Sequence, residues 1–247
     1  MNDFSQTFED RKTEIEAYLD LLESLERQVQ QGTPRLGGNG SIITVQQQRI
    51  LYSSVYLQLY NLVESTVKCC VEAVCIAVIS DQWRPNDLSD KVRREWVRFT
   101  ARTHIELNSE NRLDSVLFLC EHLVQTLPIS TLEIETGGGG NWDDNAIEAI
   151  IIRLGLPLSI SPNIYSGIKR PFRDDKGALT FIKSLRNALA HGSVSFAECG
   201  EGITVRELRD LSNRTTLYLQ EVVFCFKSSI DAHEFLLPAS RPQGVTE

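Results

Sequence analysis

The chain has 247 residues, a hydrophobic content of 42% and a formal net charge of −8. That is enough apolar material for a packed core. The charge argues against a protein that coats nucleic acid generally, because such proteins are usually basic, but it leaves room for a local basic site. No uncharged apolar run approaches the about 18–20 residues of a membrane span. The opening MNDFSQTFED lacks the apolar stretch of a signal peptide, so a cytoplasmic protein without a membrane role is expected.

The pattern along the chain is helical. Residues 4–30 read as a charge-rich first helix with Ile15, Leu19, Leu22, Leu25 and Val29 on one side. The stretch QGTPRLGGNGS ends it. A long helix over 43–79 follows, its stripe made by Leu51, Val55, Leu59, Leu62, Val67, Cys70, Val74 and Val78. A basic helix is expected at about 89–106 and another at about 110–126. TGGGGNW reads as a flexible loop; its glycines lack the phosphate-loop pattern. Asn141 is placed to cap the helix WDDNAIEAIIIRLG. Residues carrying SPN and KRPFRDDKG read as loop, then a helix spans 176–191. VSFAECGEGIT reads as a short hairpin or an irregular loop, and a last helix covers about 205–236. The expected architecture is an all-α helical bundle of long antiparallel helices with helical insertions. It forms one domain over 1–236, with a disordered tail at 237–247.

The chemistry-bearing residues are few. The six cysteines form no C-x-x-C pair and read as small buried hydrophobes, which gives zinc no support. His104 and His122 read as surface or interface residues, and His233 is isolated; none has metal-ligand spacing. Trp83, Trp96 and Trp142 read as packing anchors. No metal or other cofactor is expected. Charge is segregated: residues 1–31 hold eight acids and three bases, whereas 169–186 hold six bases and two acids. The second segment reads either as a solvated face or as an anion-facing patch that includes Arg173, Lys176 and Lys183. The acidic first helix could dock on it until substrate or a partner displaces it.

The basic segment leads into SLRNALAHGSVSF at 184–196. At 100° per residue, Ala178, Ile182, Leu185 and Leu189 form a core-facing stripe. Asn187 lies about 180° from the stripe and His191 about 140°, one helical turn further on. Arg186 flanks the stripe with a stem free to reach outward. Two readings stay open: a polar helix end with Gly192 as its left-handed stop, or a reaction centre. On the preceding long helix, Glu64 sits either in an i,i+4 pair with Lys68 or near the motif, orienting His191.

RNALAH resembles the R-x4-H motif of the HEPN superfamily, all-helical domains that include many bacterial defence and toxin ribonucleases. GALTFIKSLRNALAHG resembles the family's motif helix, and YLQLYNLVESTVK at 56–68 resembles its long preceding helix; the resemblance runs over about 4–236. It implies a metal-independent endoribonuclease working as a homodimer, with the two motifs facing one another. Arg186, Asn187 and His191 would be catalytic; beside them, the helix-face reading offers Glu64 as an auxiliary residue and the basic segment offers Lys183, Lys176 and Arg173 as substrate-binding. RNA would be the substrate, and an antitoxin or other defence-system protein a partner. Some relatives carry a Tyr two positions after the motif His; here Ser193 stands there, so control by tyrosine modification is not implied. The alternative is a non-catalytic HEPN module that binds RNA, a nucleotide or a partner protein, or a helical scaffold.

Overall fold

The computed structural model describes residues 4–37, 40–102, 106–136 and 141–242. These are all-α. The helices are α1 (Phe4–Gln31), α2 (Val45–Ser80), α3 (Asp90–Thr100), α4 (Ser109–Val124), α5 (Asp144–Leu154), α6 (Pro162–Lys169), α7 (Ala178–Ala190), α8 (Phe196–Cys199) and α9 (Val205–Asp231). None among the described residues is long and apolar enough to cross a membrane.

The residues group into two compact units. The first comprises Met1–Thr66, Asn141–Asn145 and Ile160–Glu221. Its core forms along the predicted periodic stripes except at Val29, which is 40% exposed near the end of α1. Phe8, Ile15, Leu19, Leu22 and Leu25 of α1 are buried, as are Val55, Tyr56, Leu59 and Leu62 of α2. Polar contacts fix the pairing of these two helices. Tyr18 donates its phenol to the Leu51 carbonyl (2.9 Å), and Arg11 reaches Asn61 Oδ1 (3.1 Å). Positions rising along α1 meet positions falling along α2, so the two run antiparallel. Helix α7 packs on α2 through Phe181, whose ring meets Tyr56 edge-on at 5.8 Å, an arrangement that suits the opposed charges of ring edge and ring face.

The burial of α1 removes one expectation. An acidic arm that lifts off would need a polar inner face, yet the inner face of α1 is apolar and closed. Its acids Asp20 and Glu23 pair with Arg209 of α9, at 2.7 and 2.5 Å, rather than with the basic segment 169–186.

The second unit comprises Val67–Gly140, Ala146–Ser159 and Val222–Glu247. Val67, Cys70, Val74 and Val78 continue the stripe of α2, joined in the core by Trp96, Ile147, Ile151, Leu154, Val222 and Phe226. Gly155 ends α5 at φ +75°, and Leu88 bridges to Leu236. Beyond α9, Pro238–Ser240 form a 3-10 turn and Arg241 pairs with Glu234.

Several local expectations change. SPN opens α6, with Pro162 at the first helical position, where its missing N–H is harmless. VSFAECG is neither hairpin nor irregular: Ser195 and Glu198 form a reciprocal capping box on α8. His122 is buried under α4 beside Phe118 and Trp96 instead of at the surface. His104 lies outside the described residues. Trp96 and Trp142 are buried anchors. Of the cysteines, Cys70, Cys75 and Cys225 are buried, Cys69 and Cys199 partly so, and Cys120 is exposed. Cys120 departs from expectation because the face of α4 that carries it points outward.

Leu59 is fully buried in the first unit. Leu59→Ala should lower stability by about 2–5 kcal/mol through lost transfer energy and a residual cavity. Urea unfolding followed by circular dichroism measures this.

Candidate functional site

The site is built in the first unit by the C-terminal half of α7, by α2 and by the segment Asn141–Asn145. The N-terminal half of α7 anchors it: Ala178, Leu179, Phe181 and Ile182 are all buried. Leu185 and Leu189 continue the stripe but are only half-buried, so the end of α7 that carries the motif stands closer to solvent than its start.

Arg186 does not extend outward. Its guanidinium lies over the Tyr60 ring, 4.5 Å from the centroid, where a cation meets the negative ring face. Nη1 donates to Asn187 Oδ1 at 2.9 Å, and Nη2 stands 3.9 Å from Glu64 Oε2. Glu64 and Tyr60 are four residues apart, on one face of α2. Asn187 Nδ2 donates to Asn141 Oδ1 at 3.2 Å. The amide of Asn187 therefore bridges Arg186 and Asn141. Asn141 sits before α5 and receives this bond instead of capping the helix, which starts three residues later at Asp144.

Tyr60 is itself fixed, since its phenol oxygen accepts from the Trp142 N–H at 3.4 Å. Burial raises the phenol above its ordinary pKa, opposed by that N–H and by the charge of Arg186. At neutral pH Tyr60 is thus a neutral platform under a cation.

His191 is the C-cap of α7, at φ −90° and ψ 0°. Its side chain is exposed. Gly192 follows at φ +68°. The Gly192 N–H bonds the Leu189 carbonyl (3.2 Å) and the Ser193 N–H bonds that of Ala188 (2.9 Å). This pair of bonds is the Schellman closure, which satisfies carbonyls at the helix end and favours glycine. The left-handed stop read at Gly192 is present, and it leaves the imidazole at the rim of the site.

The basic segment is compensated locally. Lys183 pairs with Asp143 and Lys169 with Asp144. Arg173 pairs with Glu207 at 2.7 Å and donates to the Gly202 carbonyl. Arg170 stands 3.9 Å from Asp210, and Lys176 donates to Ser184 Oγ at 3.3 Å. An open anion-facing patch is not what the segment forms, because carboxylates distant in sequence fold back onto it. Of the three lysine and arginine candidates, Lys183 acts electrostatically on Tyr60 together with Arg186. Arg173 is engaged at the start of α9 instead.

Sequence reasoning missed Tyr60, Asn141, Trp142 and Asp143. The i,i+4 spacing of Tyr60 and Glu64 was a usable signal; nothing local marked Asn141 as a partner of Asn187. Among the described residues, no three His, Cys, Asp or Glu side chains cluster as metal ligands.

Residues 2–235 match the model of the HEPN_MAE_28990-like HEPN family. The chain belongs to that family. No curated protein and no solved structure matches it. In this HEPN chain the R-x4-H motif is the C-terminal part of α7, with Arg186 braced by α2 and His191 at the helix end.

A Cβ at residue 192 meets no neighbour within 4 Å, so only the backbone resists substitution there. Gly192→Ala should therefore cost about 1 kcal/mol from the left-handed conformation alone. Thermal unfolding measures it.

Proposed function

We propose that this HEPN chain is a metal-independent endoribonuclease, acting as a defence or toxin-type effector through Arg186 and His191 with two copies of the motif face to face. The observation that carries this reading is the division of labour on α7: a braced guanidinium at Arg186 and a solvent-facing imidazole at His191, five residues on.

The chemistry follows from the groups. Attack of a ribose 2′-OH on its own phosphate forms a new P–O bond and breaks the bond to the 5′ oxygen. A proton leaves the 2′-OH, a proton joins the departing oxygen, and negative charge grows on the phosphoryl oxygens between. The guanidinium is permanently charged and binds two such oxygens together. Its bond to Asn187 fixes one edge of the fork. Imidazole exchanges protons near neutrality, and one His performs one transfer at a time. A second copy supplies the second. Products are a 2′,3′-cyclic phosphate and a 5′-hydroxyl, and DNA is spared because it lacks the nucleophile.

Incubation of the purified protein with total RNA in EDTA tests this. Wild type should generate those ends, and His191→Ala and Arg186→Ala should each lose about 10²–10⁴-fold in rate with the fold intact. Equal cleavage by all three proteins would reject the assignment.

A second reading has one observation on its side. Glu64 stands at Arg186 and other acids pair the neighbouring cations, which suits a module that binds a partner or nucleotide without cleaving RNA. Glu64→Gln separates the readings. As a ribonuclease, the chain should bind a non-cleavable RNA more tightly at low salt once the counter-charge is gone; a partner-binding module should show no change in fluorescence anisotropy.

A further inference from the structure

Helix α4 is turned inside out. At 100° per residue, Leu113, Leu117, Cys120 and Val124 fall on one face, with Val116 and Leu123 on its edge, while Asn111, Ser115, Phe118 and His122 fall on the opposite face. The apolar face is the outer one: Leu113 is 53% exposed, Leu117 56% and Val124 82%, and Cys120 is exposed as well. His122, on the inner face, is the one buried residue of the helix. That inner face lines a cavity of about 650 Å³ with Asn111, Asp114 and Ser115, beneath which Glu95, Arg98 and Arg153 form a charged cluster. This side of α4 therefore faces a hollow that holds charged groups beside Phe99 and Phe118, and its leucine and valine side faces solvent. An isolated helix of this length is marginal in water, and packing of its apolar face usually supplies its stability. On α4 the inner face packs through His122 against Trp96, while the leucine and valine face lies open.

We infer that the outer face of α4 is a self-association surface, occupied by α4 of a second copy. Three features select that occupant. The 4-3-4 spacing of Leu113, Leu117, Cys120 and Val124 is that of a heptad seam, which packs against a helix carrying the same repeat. The six apolar side chains expose roughly 500 Å², a contiguous patch of the size that is often functional. Doubled across a pair this gives roughly 1,000 Å², the lower bound for a specific interface. The flanks then set the direction. Asp114 and Glu121 lie on one side of the seam, and Val116, Leu123 and Arg112 on the other. An antiparallel pair opposes acidic flank to acidic flank. A parallel pair about a two-fold axis sets each acidic flank against the other helix's apolar flank. It also brings Cys120 against Cys120 at the seam. The acidic flank disfavours an anionic membrane surface as the alternative occupant. Nothing in this pairing requires RNA chemistry.

Light scattering on the full chain over a range of concentrations tests it. Leu117→Gln should halve the mass of the assembly relative to wild type, and Val124→Asp should do the same, with far-ultraviolet circular dichroism unchanged. Mild oxidation of wild type should give a covalent dimer that Cys120→Ser abolishes and Leu117→Gln suppresses. Unchanged mass in both seam variants would overturn the surface, because a copy-to-copy contact elsewhere, including one at the R-x4-H motif, survives them. A cross-link that persists in Leu117→Gln would overturn the parallel seam. His191→Ala, tested beside them, should leave the mass and the cross-link as in wild type while abolishing any RNA cleavage, so failure of one proposal is read separately from failure of the other.

Discussion

The edge contact between Tyr56 and Phe181 fixes how α7 lies on α2, and the site depends on that register. Phe181 and Ile182 are buried and Tyr56 is 1% exposed, so the start of α7 cannot rotate without opening the core. One turn along α2 from Tyr56 comes Tyr60, and one turn further comes Glu64. Five residues along α7 from Phe181, about one and a half turns on, comes Arg186. The guanidinium therefore meets a ring face and a carboxylate as a consequence of packing set a turn earlier. A core contact and a site contact are here two steps of the same ladder.

The same ladder explains why Arg186 and His191 differ in environment although both belong to α7. Helix burial declines from Ala178 to Ala190, and the Schellman closure at Gly192 ends the helix before another turn could cover His191. Arg186 is still within reach of α2; His191 is past it. A permanently charged group gains from bracing, since every partner narrows its orientation without removing its charge. A proton-transfer group gains from solvent and from access by a second reactant. On the proposed chemistry, the helix end meets both needs by position, without a dedicated loop.

Much of this was legible in the sequence, for a physical reason. Helix periodicity follows burial, and burial in this chain is mostly local to long helices, so the stripes of α1 and α2 and the stop at Gly192 could be read directly. What could not be read depends on groups that approach from far along the chain. The cations of 169–186 look like an open patch because their neighbours in sequence are few acids; folding brings Asp143, Asp144, Glu207 and Asp210 to them. Asn141 looked like a helix cap because capping is a local rule, whereas its bond to Asn187 spans 46 positions. The arm-like reading of α1 failed for a related reason: counting charge gave weight to eight acids and too little to five buried apolar side chains on the opposite face.

Helix α4 shows where periodicity is informative and direction is not. The sequence places Leu113, Leu117, Cys120 and Val124 on one face, and the default assignment turns such a face inward. In the structure the inward direction is already taken by a buried Glu95 with Arg98 and Arg153, and apolar side chains set against that cluster would leave its charges without solvation. Turning Asn111, Asp114 and Ser115 toward the cavity sets polar side chains near that cluster at the expense of exposing leucine and valine. The exposure is tolerable for a chain that covers it on association, and the cysteine at the centre of the stripe then occupies a d-type position of a seam, a place where an apolar side chain of its size fits.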